Sequence, residues 1–325
     1  MRTSVLKVRY IVLVCLVAIS SLRTSAQSIS SSDGKFEIGL GLGPSFFLGD
    51  LGGTQGVGKT FVKDVNFPFT KLMKGIFVNY YPAEFVGLRV ALNAGHLEGD
   101  DAIIDNKGGA ERFRKQRNLK FQSKMMEGYA ALEFYPTVFF EQYEGLEHKL
   151  RPYAVIGFGM FHMNPQGEYI APNGDKTWVD LKPLRTEGQG MAEYPDRKEY
   201  SLWQQEIPMG FGFKYYVKET MYVGFEILHR KTFTDYVDDV STKYINPALF
   251  NTYLTPTEAV MARQLAYRET LANPSQNRPF INSQRGDPTE NDAFFSGMLR
   301  LGWRINSDNS PNGRARRQLR CPVFY

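Results

Sequence analysis

One segment of the sequence matches a phosphate-binding loop. Residues 53–60 read GTQGVGKT, which satisfies the pattern G-x-x-x-x-G-K-[ST] at every required position. A working loop also needs a helix that begins at the Lys-Thr end, because the helix amides and dipole hold the phosphate. The next residues, 61–68, read FVKDVNFP and indicate extended or irregular chain. We therefore predict that the match is formal and that neither nucleotide nor nucleic acid binds.

Aspartates gather at the ends of the predicted strands, and oxygen-rich clusters of this kind can bind calcium. Their spacing lacks a recognised calcium loop, and external loops are generally polar, so we favour solvated carboxylates and predict no metal. The aspartates concerned are Asp50, Asp100, Asp101, Asp105, Asp235, Asp238 and Asp239.

The histidines are the next candidates for chemistry. The chain has four, without an H-E-x-x-H spacing or a nucleophile elbow. His96, His162 and His229 fall at the outer ends of predicted strands, where an esterase or acyltransferase site could be assembled. Its serine would be Ser123, Ser201 or Ser241, but no spacing selects a triad. We favour histidines at a membrane interface, and we predict no catalytic residue, no cofactor and no enzyme activity.

The first 26 residues have the pattern of a signal peptide. Arg2, Lys7 and Arg9 precede an apolar run over 11–19, and 24–26 read TSA, a small-residue cleavage site. Cys15 lies in the apolar run without the small residues of a lipoprotein signal, which leaves Cys321 alone and predicts no intrachain disulfide. The full chain has a formal net charge of +5, and four basic residues lie within 1–26, so the mature chain would carry +1. This near-neutral charge gives no indication of nucleic-acid binding.

The elements that would position these residues are strands. Apolar residues alternate with glycine or charged residues, which is typical of strands with one apolar face. After residue 27 no run of 18 apolar residues predicts a transmembrane helix. The predicted strands lie around 36–42, 72–80, 88–95, 126–134, 152–163, 209–215, 223–228 and 295–305. We predict an all-β fold, an eight-stranded antiparallel transmembrane β-barrel over residues 27–305.

The strand faces opposite the apolar ones combine glycine and charge. This suits the narrow lumen of an eight-stranded barrel, whereas a soluble sandwich would place bulky apolar groups between its sheets. A soluble lipocalin-like barrel is the alternative. The sequence predicts a structural charge network inside the barrel, formed by Glu37, Arg89, Glu127, Glu133, Glu226, Arg300 and Arg304.

Connection lengths alternate as they do in outer-membrane barrels, with short periplasmic turns and long outer loops. The long connections are predicted at 44–71, 97–119, 164–200 and 231–292, which places both termini in the periplasm. The last one contains a capping box at Thr255-Pro256-Thr257-Glu258 and a helix predicted to end near Asn273. This helix, within the long insertion 245–291, would either cover the barrel mouth, dock a partner or pack on its own loop.

The last residues, 306–325, form a basic tail on the periplasmic side. They could bind an acidic protein or anionic lipid headgroups, or remain a disordered tail. The candidate partner-binding residues are Arg314, Arg316, Arg317 and Arg320.

Five segments together resemble a Bacteroidetes outer-membrane β-barrel family of largely unknown function, similar to the PorG barrel of the type IX secretion system. They are 49–53 (GDLGG), 117–119 (RNL), 186–190 (TEGQG), 194–198 (YPDRK) and 230–241 (RKTFTDYVDDVS). The resemblance implies a location in the outer membrane, outer-membrane lipids as surroundings, and periplasmic ring proteins of type IX secretion as partners. It implies no catalytic residue.

We therefore predict an outer-membrane anchor or interaction protein, a component of type IX protein secretion. A lipid-modifying barrel enzyme is one alternative, and it requires a serine and a histidine within hydrogen-bonding distance. A narrow pore or small-ligand carrier is the other, and the count of eight strands argues against it.

Overall fold

Eight long antiparallel strands close into a barrel, which confirms the predicted fold class. The computed structural model describes residues 35–51, 70–83, 85–104, 111–139, 150–218, 220–272 and 281–305. The strands are β1 (Lys35–Leu48), β2 (Lys71–Ala83), β3 (Val86–Asp100), β4 (Lys120–Phe134), β5 (Leu150–Ile170), β6 (Lys176–Asp180), β7 (Trp203–Lys218), β8 (Met221–Thr232) and β9 (Ala293–Arg304).

Each barrel strand pairs with its neighbours in sequence, and β1 pairs with β9 to close the ring. The short strand β6 stands outside the ring. It pairs with the end of β5, from Gln166 to Ile170, as a hairpin that extends beyond the barrel wall. The alternating pattern did not indicate β6, because its five residues are mostly exposed on both faces.

The predicted alternation places apolar side chains outside and small or charged ones inside. Outward-facing side chains stay exposed along the wall, including Leu40 at 51%, Val90 at 61% and Phe211 at 64%. Inward-facing neighbours such as Glu37 and Arg89 are buried. A band of exposed apolar side chains around a closed sheet fits a lipid environment. No helix in the described ranges combines the length and apolar character needed to cross a bilayer.

Long loops stand at one end of the barrel and short turns at the other. The long loops contain the helices α1 (Glu111–Arg117), α2 (Phe250–Tyr253), α3 (Pro256–Ala266) and α4 (Glu269–Ala272). They also contain 3-10 turns at Asp101–Ile103, Lys182–Leu184 and Pro247–Leu249, and a further 3-10 turn, Pro136–Phe139, follows β4 at the other end. The proposed signal peptide, the phosphate-loop match, Asp105 and the basic tail lie outside the described residues.

Helix α3 begins at the predicted capping box, in which the Thr255 hydroxyl accepts from the Glu258 amide and the Glu258 carboxylate accepts from the Thr255 amide. It ends at Ala266, and the short helix α4 follows and ends at Ala272, next to the predicted end near Asn273, so the predicted helical segment is divided into two helices. The chain leaves the helix because Tyr267 turns into the loop core, where its hydroxyl donates to the Ile245 carbonyl.

The buried face of α3 packs on the outer loops themselves. Its buried residues join one apolar cluster with residues of the 171–202 connection and of the 233–292 connection, among them Leu181 and Phe250. The Gln264 side chain also binds both the amide and the carbonyl of Ile170, at 2.8 and 2.9 Å. The helix therefore holds two outer loops together.

Gly210 on β7 offers a test of the barrel wall. A Cβ atom there would lie 2.0 Å from the Ile227 carbonyl oxygen, a backbone atom that cannot move aside. We expect Gly210→Ala to destabilise the barrel by about 1–3 kcal/mol, the usual range for overpacking. The measurement is the temperature at which the folded, fast-migrating form is lost on electrophoresis in detergent. Gly297→Ala is the control, since its Cβ would be 3.4 Å from the nearest atom; equal effects would contradict this account.

Candidate functional site

A continuous chain of ion pairs fills the part of the lumen away from the outer loops. Arg89 lies at its centre, with its Nε 2.6 Å from Glu133 Oε1 and its Nη1 2.6 Å from Glu226 Oε2. From Glu226 the chain continues to Arg300 at 2.7 Å. From Glu133 it continues to Lys214 at 3.2 Å. The lumen thus contains alternating charges rather than an open path.

Glu37 lies near the barrel seam and joins Lys214 to Arg304, the last member of the chain. Its carboxylate lies 2.9 Å from Lys214 Nζ and 3.4 Å from Arg304 Nη2. It also accepts from the Tyr81 hydroxyl at 2.6 Å. Six of the residues predicted for the internal network are therefore joined in one connected series, with Lys214 as the link between its halves.

Glu127 stands apart from that series, nearer the outer loops. Its partner is Arg230, whose Nη2 is 2.6 Å from Glu127 Oε1. Arg230 also donates to the Leu228 carbonyl at 2.9 Å and is fully buried. Sequence reasoning missed Lys214 and Arg230 as members of the network, although the alternation along β7 and β8 places both on the inward face.

A second site lies over the outer end of the barrel, where the five segments of the family resemblance meet. We call this assembly the cap and define it by 49–51, 101–104, 111–119, 186–200, 230–242 and 285–292. Hydrogen bonds link these segments directly: the Leu51 amide donates to Asp238, and the Ser241 amide donates to Glu187. Residues scattered over the sequence thus form one polar core.

Arg117 ties three segments of the cap together. Its guanidinium donates to the Asp101 carboxylate at 2.8 Å and to the Asp50 carbonyl at 2.6 Å. It also donates to the Arg285 carbonyl at 2.5 Å. The next residue, Asn118, has a φ of 54°, a left-handed conformation that asparagine tolerates better than most residues. The contacts of Arg117 and the left-handed backbone at Asn118 therefore explain why arginine and asparagine occur together in this segment.

Glu187 is the acceptor at the centre of the cap. It is fully buried and accepts from the Ser241 amide at 3.1 Å and the Thr242 amide at 2.9 Å. Arg285 Nη1 supplies the opposite charge at 2.8 Å. The flanking glycines Gly188 and Gly190 have φ values of 79° and 72°, which explains the TEGQG pattern.

Four of the predicted aspartates are buried, so the prediction of solvated carboxylates is wrong for Asp101, Asp235, Asp238 and Asp239, whereas Asp50 and Asp100 are half-buried. Asp238 and Asp239 are 1% and 0% exposed. Backbone amides replace the lost water: Val240 donates to Asp238 at 2.9 Å, and Val237 donates to Asp292 at 2.8 Å. The described residues contain no group of three or more His, Cys, Asp or Glu side chains suited to a metal ion.

Burial shifts the ionisation of these aspartates. It raises the pKa of Asp235 to about 8 and that of Asp50 to about 6. Burial also raises the pKa of Asp238 and of Asp292 well above the ordinary value, and the neighbouring carboxylates add to this effect. The cause is the cost of placing several negative charges together away from water.

The histidines and serines do not form a hydrolytic site in the described residues. His162 faces lipid on β5, where its ring packs against Trp203 with centroids 5.1 Å apart. Ser123 is buried, and its hydroxyl accepts from the Asn164 amide. The side chain of Ser201 accepts from the Trp203 amide. The Ser45 hydroxyl donates to the backbone carbonyl of His96 at 2.9 Å, but no hydrogen bond joins the imidazole of a described histidine to the hydroxyl of a described serine.

The closed ladder, the apolar exterior and the charge-filled lumen define the class of this protein: it is a transmembrane β-barrel of the outer-membrane type. The chain belongs to the family described as Domain of unknown function (DUF6089), whose model matches residues 9–248. All five segments named above lie within that match. A comparison with curated proteins found no match.

Among solved structures, the barrel is similar to three outer-membrane proteins. Ail, the attachment invasion locus protein of Yersinia pestis, has 7% identity and a TM-score of 0.32, covering 84% of this chain and 97% of that chain. OprG of Pseudomonas aeruginosa has 12% identity and a TM-score of 0.37, covering 84% and 97%. Outer Membrane Protein W of E. coli has 11% identity and a TM-score of 0.28, covering 85% and 100%.

Removal of one charge from the lumen tests the ion-pair chain. We expect Arg89→Ala and Glu133→Ala each to destabilise the barrel by about 3–5 kcal/mol, because each leaves a buried charge without its partner. Arg89→Met combined with Glu133→Leu removes both charges and should cost less than either. Loss of the folded form on heating in detergent is the measurement. Single variants as stable as the wild type would place these side chains in water.

The raised pKa of Asp235 predicts a pH dependence of the cap. Its carboxyl has a pKa of about 8 in the closed cap, against an ordinary value of 3.8. The opened segment therefore ionises first, so the closed cap loses stability as pH rises from about 4 and stops losing it above about 8. Hydrogen exchange of residues 233–240, corrected for its intrinsic rate, should show more opening at pH 8 than at pH 5. Asp235→Asn should weaken this dependence; an unchanged slope would contradict the assignment.

Proposed function

We propose that this protein is an outer-membrane anchor in the type IX protein secretion machinery of a member of the Bacteroidetes, similar to PorG, and that it performs no chemistry. The observation that carries the proposal is the convergence of the resemblance segments. The segments around Asp50, Arg117, Glu187 and Asp238 form one buried hydrogen-bonded cap. A set of segments that folds into such a hydrogen-bonded core indicates a structural scaffold more than a reaction centre.

The filled lumen supports an anchor over a pore. Arg89, Glu133 and Lys214 are each at most 1% exposed, and together they bridge the width of an eight-stranded barrel. A solute would have to break several buried ion pairs to pass, which is costly when the partners are left uncompensated. This geometry disfavours the small-ligand carrier.

The positions of the histidines disfavour the lipid-modifying enzyme. Such an enzyme needs a base within hydrogen-bonding reach of its nucleophile. His162 faces the bilayer, whereas Ser123 is buried on the inward face of β4. We therefore propose that function lies in contacts with other proteins.

On this proposal, the partners are periplasmic ring proteins of the secretion machinery, and the basic tail contacts them. The tail follows β9, which ends on the side of the short turns. Four arginines would supply charge for an acidic protein surface. They are Arg314, Arg316, Arg317 and Arg320.

Affinity purification from outer membranes of the native host, followed by mass spectrometry, tests the proposal. We expect the tagged wild type to recover periplasmic ring proteins. Replacement of the four tail arginines by glutamine should abolish that recovery, as should deletion of 314–325. Lys218→Gln combined with Lys243→Gln is the control for loss of charge elsewhere, and a heat-shift gel shows that each barrel is folded.

Recovery of the wild-type barrel alone would contradict the secretion role. Recovery of ring proteins by every variant would retain that role but place the contact outside the tail.

A further inference from the structure

Basic side chains form a strip on the lipid-facing surface of four adjacent strands. We define the strip as Lys74 on β2, His96 on β3, Lys124 on β4 and His162 on β5. His96 and Lys124 are directly opposite each other across the β3–β4 pair. Lys74 pairs with Ala94, two residues before His96, and His162 pairs with Met126, two residues after Lys124. Each member therefore neighbours the next one directly or diagonally.

The strip is exposed and has no acidic counterpart among the described residues. Lys74, His96 and Lys124 are exposed, and His162 is partly exposed. None of them forms an ion pair with a described carboxylate. The nearby acids have other contacts: Glu98 pairs with Lys71, and Asp180 accepts from Asn164 and Gln166. Adjacent basic groups in a sheet repel each other when charged, unless an anion lies between them.

On β3, β4 and β5 the strip marks the outer boundary of the apolar band, whereas on β2 the exposed Leu72 lies outside Lys74. Toward the membrane centre, the outward-facing side chains are apolar and exposed, including Ile76 at 54%, Leu92 at 57% and Met160 at 46%. Trp203 packs against His162 at the same level, and tryptophan favours the membrane interface. The long loops rise from this end of the barrel. The basic groups therefore lie at the depth of the headgroups of the outer leaflet.

We infer that the strip binds the phosphate groups of a phosphorylated glycolipid of the outer leaflet, the lipid A class. Lysine ammonium groups bind phosphate as point charges, and imidazole can donate a further hydrogen bond. The apolar side chains directly below would contact the acyl chains of the same molecule. This continuity of basic and apolar surface fits a lipid headgroup better than free phosphate, which has no apolar part.

Native mass spectrometry of the full chain in detergent micelles with added diphosphoryl lipid A tests this inference. We expect Lys74→Gln combined with Lys124→Gln to weaken the affinity for lipid A about thirtyfold, since each interfacial lysine contributes on the order of 1 kcal/mol, and the fraction of barrels that retain lipid A to fall with it. The control, Lys218→Gln with Lys243→Gln, removes the same charge away from the strip and should retain lipid as the wild type does. A heat-shift gel confirms that both variants are folded.

Three outcomes would overturn the inference. The first is equal retention of lipid A by the strip variant and the control. The second is equal retention of the dephosphorylated lipid by the wild type. The third is displacement of lipid A by an equal concentration of inorganic phosphate, which would assign the strip to free phosphate.

Discussion

The pairing of β1 with β9 is the interaction on which the rest of the structure depends. Within a bilayer every backbone amide and carbonyl needs a partner, so an open sheet edge is not tolerated. The seam brings Glu37 opposite Arg304 and Gly41 opposite Arg300. The same contact that closes the ladder therefore positions two arginines of the lumen. Closure and internal charge pairing are two consequences of one register.

The cap, which lies outside the membrane, is also positioned by the strands of the barrel. Its aspartates follow or precede strand ends, so the rim of the barrel fixes where they lie. Their burial is costly, and backbone amides and the guanidinium of Arg117 offset part of that cost. The raised pKa of Asp235 shows that part of the cost of burying its charge is not offset. The cap is therefore held by specific hydrogen bonds as well as by apolar packing.

Strand alternation was enough to predict the barrel and the inward direction of Glu37 and Arg89, because period two follows from strand geometry alone. The partners of these charges could not be predicted. The pairing of Arg89 with Glu226 depends on barrel width and side-chain reach, across 137 positions of sequence. Burial of Asp238 was missed for a similar reason, since a loop aspartate looks solvated until the donor, here the Leu51 amide, is known.

The two filled regions together constrain where the protein can act. Ion pairs around Arg89 fill the lumen, and the hydrogen bonds of Glu187 hold the outer loops over it. In a barrel built in this way, the lumen is occupied by ion pairs, and the outer surfaces are the parts that other molecules can contact. Its contacts with other molecules must therefore be made by the lipid-facing wall, the outer loops or the chain ends. Because the wall and the two ends face different surroundings, the proposed lipid contact at the strip and the proposed protein contact on the periplasmic side would use different residues.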